Sequence, residues 1–394
     1  MSANGIRVAV VGAGIAGLTV AAALTRAGIR CRVYERAPRL GEVGAGIQLS
    51  PNATRLLHRL GAAAKLRAVA VRPEAIEMHR WDSGALLMRT VLGQACEDMY
   101  AAPYYCVHRA DLHALLVTLL PQDVIRLDAH CTGVTDRDAQ AEIRFTDGSV
   151  EQADVVVGAD GIHSVVRQAL VRDEPRFSGQ AVYRGMIPAS RLPHLLEEPK
   201  VLLWLGPGQH CVCYPVSSGR SISFVATTPA GGWRTESWTE EGRIADVLKA
   251  YQGWHEEVRS LLGAATSVTR WALHDRAPVD RWSGRRITVV GDAAHPMLPF
   301  GAQGANQAIE DAVTLAACLR DVAGPDVAQA LRRYEELRRP RTAYVQRAIA
   351  ENARNHHFAD GEEQRMRDQS MDENWGLRGQ EWLFGYEAEP AVAR

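Results

Sequence analysis

One stretch limits what this chain can become: Arg7 to Glu35, RVAVVGAGIAGLTVAAALTRAGIRCRVYE. Val8 to Val11 is a short β-branched apolar run, suited to a strand buried on both faces. Gly12, Gly14 and Gly17 follow at GxGxxG spacing. The first permits a tight turn, the second lets a pyrophosphate reach the backbone, and the third lets helix and strand pack closely. Ala16 and Ala21 to Leu24 favour a helix, and Gly28 suits its C-terminal cap. Arg32 to Tyr34 predicts a second strand ending in Glu35, where an acid accepts hydrogen bonds from ribose hydroxyls. A glycine-rich turn alone carries little information. Strand, turn, helix, strand and acid in this order predict a dinucleotide site.

At 394 residues the chain can bury a large core and is expected to hold two domains. A formal net charge of -1 offers no electrostatic reason to bind nucleic acid or an anionic membrane. The opening residues MSANGIR carry no apolar leader, and no apolar run approaches the roughly 18 residues of a membrane span. The expected location is therefore the cytoplasm, without an integral membrane segment. Seven cysteines form no CxxC pair, so reduced thiols are expected and no metal site is.

Taken in order, Gly41, Gly44 and Gly46 predict a loop whose backbone approaches a ligand. Ser50 and Pro51 suit the cap and first position of the next helix. Residues 71–107 alternate and show little helical signal, so they read as strands. Arg109 opens a helix, where it either reaches a phosphate or sugar oxygen or stays a solvated helix-end charge. Ile125 to Val150 predicts a β-meander through Val134. Val155 to Val157 predicts a buried strand that ends near Asp160, at the edge where open α/β sheets bind ligands. Residues 180–228 read as strands of a second, largely antiparallel sheet, and Trp238 to Leu262 as one helix. Ile287 to Val290 is another buried strand with an acid, Asp292, just beyond it. A glycine-containing loop, Met297 to Gln307, then leads into a helix. A further helix is expected from Val327 to Arg338, ended by Pro340. The tail after Asn352 is polar and weakly patterned.

Three motifs now stand in order: GAGIAG, GADG, and GDAAHPMLPFGAQGANQAIEDA. Together they resemble the group A flavoprotein aromatic hydroxylases, over roughly residues 6 to 345. GAGIQLSPNA and AQGANQAIEDA look most like the salicylate, 3-hydroxybenzoate and 6-hydroxynicotinate hydroxylases. The resemblance implies an α/β fold: a Rossmann-like FAD-binding domain (1–70, 99–174 and 272–345), a largely antiparallel substrate domain (71–98 and 175–271) and a C-terminal helical or partly disordered tail (346–394). It implies that Gly12, Gly14, Ala16 and Gly17 cradle the FAD pyrophosphate, with Glu35 at the ribose, Arg36 at the adenosine and Val134 at the adenine. Gly46 and Gln48 would lie near the flavin, and Arg109 on its ribityl or phosphate chain. Asp160 belongs to a motif serving FAD and NAD(P)H, and Asp292 would bind a ribityl or phosphate-side oxygen. Gly301, Gln303, Gly304, Ala305 and Asn306 would lie against the isoalloxazine, with a helix N-terminus favouring its negative charge.

The implied reaction reduces FAD with NADH or NADPH, then transfers oxygen from O₂, through a C4a-hydroperoxyflavin, to an electron-rich ring. The substrate is a phenol or hydroxypyridine, with or without a carboxylate and its loss as CO₂. Deprotonating a phenol, which titrates near 10, activates the ring. His210 and Tyr214, four apart on a predicted strand, share one face, and similar hydroxylases carry this His-x-x-x-Tyr pair toward substrate. His210 is the candidate base and Tyr214 its orienting partner; a buried, satisfied pair is the alternative. His295 reads as structural or flavin-adjacent. Arg184 either meets a substrate carboxylate or is an ordinary edge-strand arginine. Pro299 stands before Phe300 where some relatives have a polar residue, which suggests an apolar pocket wall. The other functions left open are epoxidation or oxidation of a non-phenolic natural product, and a non-catalytic flavin-binding regulator. The expected partner is a small aromatic molecule, and the expected assembly a monomer or homodimer.

Overall fold

The computed structural model describes residues 5–41, 44–232 and 240–389. Its first sheet has five parallel strands, in the order Ile287–Val289, Val155–Gly158, Arg7–Val11, Arg30–Tyr34 and Ile125–Arg126. Arg7–Val11 lies at the centre and is buried from Val8 onward, as its apolar run requires. The turn after it runs through Gly12 at φ 102°. A Cβ on Gly12 would sit 2.5 Å from the Ala159 carbonyl oxygen, and one on Gly17 would sit 1.9 Å from that of Gly12. Glycine is required at both positions by contact. The helix Ile15–Arg26 packs against the helix Gly304–Cys318.

The second sheet has eight strands: Glu241–Gly242, Val268–Asp275, Arg176–Pro188, Ser221–Pro229, Gln209–Val216, Lys200–Gly206, Ala75–Arg80 and Leu86–Val91. All neighbours are antiparallel except Lys200–Gly206 with Ala75–Arg80. A three-stranded sheet and the two-stranded ribbon Gly46–Leu49 with Tyr105–His108 complete the strands described. Along Gln209–Val216 the side chains alternate as a strand demands. Cys211 and Cys213 enter a core with Tyr251 and Trp254. Tyr214 and Val216 enter another with Phe300, Val345, Ile349, Leu383 and Phe384.

Several sequence expectations need correction. The glycine-rich segment ends in a true strand, Gly46–Leu49. Ile125–Arg126 leaves the meander and closes the edge of the parallel sheet. Within 71–107, Gly93–Tyr100 is a helix. Leu92, Cys96 and Tyr100 recur every fourth residue and share one core, a helical spacing hidden by polar neighbours. Trp238 lies outside the described residues, and the stretch read as one helix splits into Ile244–Ala250 and Glu256–Gly263. Gly253 breaks it at φ 83°.

Pro340 does not end its helix, which runs from Val327 to Asn355 and so crosses residue 345. Pro340 and Glu336 are both exposed, so the missing hydrogen bond falls on the solvent side of the helix. The buried stripe Tyr334, Arg338, Thr342, Val345 and Ile349 holds the helix on the body. Among the described residues of the tail, Glu362–Trp375 is a helix that buries Met371, and Glu381–Phe384 is a helix that buries Leu383 and Phe384.

Candidate active site

Three cavities of about 490, 320 and 380 Å³ adjoin between the two sheets. Gly14, Arg109 and Asp292 border both the outer and the middle one. Gln48, His210, Pro299, Phe300 and Gln303 border both the middle and the inner one. Each is of the size that small ligands and cofactors occupy.

The outer cavity is lined by Gly12, Gly14, Glu35, Arg36 and Asp160. Gly14 caps the helix Ile15–Arg26, and a Cβ there would meet nothing within 4 Å. That helix has no side-chain cap and no acid in its first turn. Its leading N–H groups thus face the cavity, an arrangement that suits a phosphate. Glu35 accepts from Ala13 N at 2.7 Å and Ala37 N at 2.9 Å, which leaves each oxygen a lone pair for a hydroxyl. Asp160 is committed to the fold. It accepts from the Ser164 hydroxyl and from Val165 N at 2.7 Å, starting the short helix that follows. Burial raises its carboxyl above the ordinary range, and these hydrogen bonds pull it back. Val134 is buried in the three-stranded sheet, and Ala129, His130 and Cys131 line the cavity on that side.

Ala16, Gly46, Gln48, Arg109, Asp292, Gly304 and Ala305 line the middle cavity. The helix Gly304–Cys318 also begins without a side-chain cap or first-turn acid. Two open helix N-termini, a cradle free of side chains at Gly14 and an acid at each end fit FAD, whose phosphates and ring would occupy the outer and middle cavities. Asn306 and Gln303 are buried and already paired. Asn306 accepts from Ser50 N at 3.0 Å and donates to Gln48 O at 3.0 Å; Gln303 donates to Ser50 Oγ at 3.0 Å. Both clamp the Gly46–Leu49 strand to this loop. Gly301 lines the inner cavity, where a Cβ would come 2.9 Å from Ile349.

Arg184 is no edge-strand arginine: Arg176–Pro188 lies between two strands of the eight-stranded sheet. Its guanidinium stacks 4.7 Å over the Trp271 ring. Burial brings it down to about 10, the Tyr214 hydroxyl opposing and Arg109 assisting. Burial likewise raises Asp292, with His295 and Arg109 pulling it back. The Tyr214 hydroxyl is pushed up by burial, while Arg184 and hydrogen bonds with Gln48 and Ser223 lower it. Gln48 Oε1 also accepts from the Tyr104 hydroxyl at 2.7 Å.

His210 is buried and borders both inner cavities. Its Nδ1 lies 2.8 Å from His357 Nε2, and its ring meets Phe300 edge-on at 5.1 Å. Burial first, then the neighbouring His356 and His357, holds it well below the ordinary imidazole value. Apolar side chains wall the inner cavity, among them Ile76, Met78, Leu203 and Phe300, with Pro299 beside them. Trp375, Gln380, Trp382 and Phe384 close it from the C-terminal segment. His295 is buried, with its Nε2 2.6 Å from Asp311.

Sequence reasoning missed Tyr104, His356, His357 and the whole C-terminal wall. No local pattern marks these residues. It also missed Arg338, buried between Glu310 and Asp311. There a signal existed: two adjacent acids inside an apolar helical run imply a buried cation.

A family model described as an FAD binding domain matches residues 5–348. The 3-amino-4-hydroxybenzoate 2-monooxygenase of Streptomyces platensis is 50% identical over 394 residues, covering 100% of this chain and 99% of its own. The 6-hydroxynicotinate 3-monooxygenase of Bordetella bronchiseptica is 36% identical over 394 residues, covering 98% and 97%. Among solved structures, a salicylate hydroxylase substrate complex superposes with a TM-score of 0.86 at 27% identity, covering 100% of this chain and 98% of its own.

Proposed function

The chain belongs to the FAD binding domain family and is an FAD-dependent aromatic monooxygenase that uses NAD(P)H and O₂, and we propose that it hydroxylates an amino-substituted hydroxybenzoate with His210 as base and Tyr214 as orienting partner. The observation that carries the residue assignment is the place of His210, on the wall common to the middle and inner cavities. The relative that acts on 3-amino-4-hydroxybenzoate supports the substrate class. So does the inner cavity, whose apolar walls also carry Asn352, Asn355, His356 and Gln380 as hydrogen-bonding groups.

The aromatic ring packs among Ile76, Met78, Leu203 and Phe300. Nδ1 of His210 is held by His357 and the Thr227 hydroxyl, the latter at 3.2 Å, so Nε2 is the nitrogen left for the phenol. Taking the phenolic proton there puts negative charge into the ring and makes it a better nucleophile. Tyr214 stands on the same strand face, with its hydroxyl fixed by Gln48 and Ser223. The C-terminal wall keeps bulk water from the ring. FAD held there would supply the redox chemistry, taking two electrons from NAD(P)H so that one oxygen of O₂ can replace a ring hydrogen while the other leaves as water.

The test is turnover of 3-amino-4-hydroxybenzoate with NADH or NADPH under ¹⁸O₂. One labelled oxygen in the product is expected. A yellow protein that oxidises NAD(P)H but labels no hydroxybenzoate would overturn the substrate class. His210→Gln is expected to lower kcat by about 10²–10⁴-fold with flavin retained; unchanged kcat would remove His210 as the base.

A further inference from the structure

We propose that His357 is a relay residue that carries the substrate's proton from His210 to solvent. This rests on the reading of His210 as the base. His210 is buried, with 4% of its surface exposed, so a proton it accepts cannot reach water directly. His357 Nε2 lies 2.8 Å from His210 Nδ1, and the two rings are stacked with centroids 5.0 Å apart. His357 is itself part-exposed. Its Nδ1, the far side of the ring, lies 3.4 Å from the Gln180 side-chain amide, whose Oε1 has no partner among the described residues and, turned to the ring, accepts the Nδ1–H. Its backbone carbonyl accepts from Gly208 N at 3.0 Å, which fixes the residue against the turn before the His210 strand.

The transfer balances without net charge on either ring. The phenol O–H breaks and its proton bonds to His210 Nε2. The Nδ1–H of His210 passes to His357 Nε2, and the Nδ1–H of His357 goes to water. Both imidazoles end neutral in the opposite tautomer. A neutral relay is what this site needs, because every element packed on His210 offers neutral groups. These are His356 from the end of the long helix, Thr227 from the next strand, Tyr251 from behind the sheet and Tyr214 on its own strand. Among the described residues none of these packed groups is an acid that could hold an imidazolium in place. Burial lowers His357 to about 4 and His356 to about 3, so both rings are neutral at working pH.

The experiment follows the phenol, not turnover. The oxidised holoenzyme is mixed with 3-amino-4-hydroxybenzoate in a stopped-flow pH jump, and phenolate absorbance of the bound ligand is recorded. For His357→Gln, phenolate formation is expected to slow at least tenfold, with flavin content and ligand Kd unchanged; added imidazole should restore the rate. His357→Asn serves as the second variant should the glutamine protein lose flavin. A wild-type phenolate rate in either variant, or a slow rate that imidazole leaves untouched, overturns the relay. His210→Gln should be slow and not rescued. If His210→Gln instead forms phenolate at the wild-type rate, the base assignment itself fails, which separates the two claims.

Discussion

Single residues here do two kinds of work, holding backbone apart and holding protons. Gly14 leaves space that a side chain would fill. Gly14→Val is expected to purify with little or no flavin absorbance, whereas Gly28, which has open space around it but lies away from the cavities, should tolerate Asn with full flavin content. His356 is buried, and neither ring nitrogen has a hydrogen-bond partner among the described residues. A buried polar group left so calls for a ligand atom, and His356 lines the inner cavity. His356→Leu should therefore raise the substrate KM about tenfold, the worth of one hydrogen bond of about 1.4 kcal/mol. An unchanged KM would place the substrate elsewhere in the cavity. The glycines and Glu35 were legible in the sequence because their roles are set by neighbours a few residues away. His356 was not, since nothing near it in the chain says what it faces.

At the scale of elements, the helices Gly304–Cys318 and Val327–Asn355 are joined by a buried charge network. Arg338 donates to Glu310 Oε2 at 2.5 Å and to Asp311 Oδ1 at 2.8 Å, and Asp311 also holds His295. Asn52 donates to Glu310 at 2.6 Å, which ties in the helix Pro51–Arg59. Removing this cation strips both buried carboxylates of their shared partner and leaves only Arg341 on Glu310 and His295 on Asp311. Arg338→Ala is expected to lose about 3–5 kcal/mol of unfolding free energy in denaturant titrations. A loss below 1 kcal/mol would mean that the network relaxes or admits water. This network also explains why Pro340 misled: sequence reasoning weighed the missing N–H, while tertiary pairing two residues earlier holds the helix in place.

For the whole molecule, the C-terminal segment decides what the inner cavity is. Arg55 donates to the carbonyls of Phe384 and Tyr386, and Arg341 to those of Trp382 and Leu383, so the segment is pinned to the body. Among the described residues, none beyond 308 lines the outer or middle cavity. A chain ended after Gly361 is therefore expected to bind FAD, to lose most substrate affinity, and to release peroxide in place of hydroxylated product. Tight coupling in that protein would refute the wall's role. The same region governs pH response. His210, His356 and His357 are all held below 6.5, so the unfolded chain binds more protons than the folded one beneath that pH. Stability is complete above about 6.5 and falls as pH drops toward 4 and 3. The slope is at most about 1.4 kcal/mol per pH unit for each histidine, and less for part-exposed His357. Asp311, lowered to about 2, adds a separate loss only below its ordinary 3.8. Thermal melts at pH 7 and 5 should show a lower Tm at pH 5, flattened in His356→Phe; a flat wild-type profile would deny that these rings are neutral. By itself the sequence determined the nucleotide half, because the GxGxxG turn, its strands and its acid are local requirements met within thirty residues. It also placed His210 and Tyr214 on one strand face, since a strand's alternation is local too. Only the tertiary structure decided that His357 stands beside His210, that Arg184 is interior and that the tail closes the inner cavity. Those contacts join segments from about forty to well over a hundred residues apart, where no periodicity in the chain can record them.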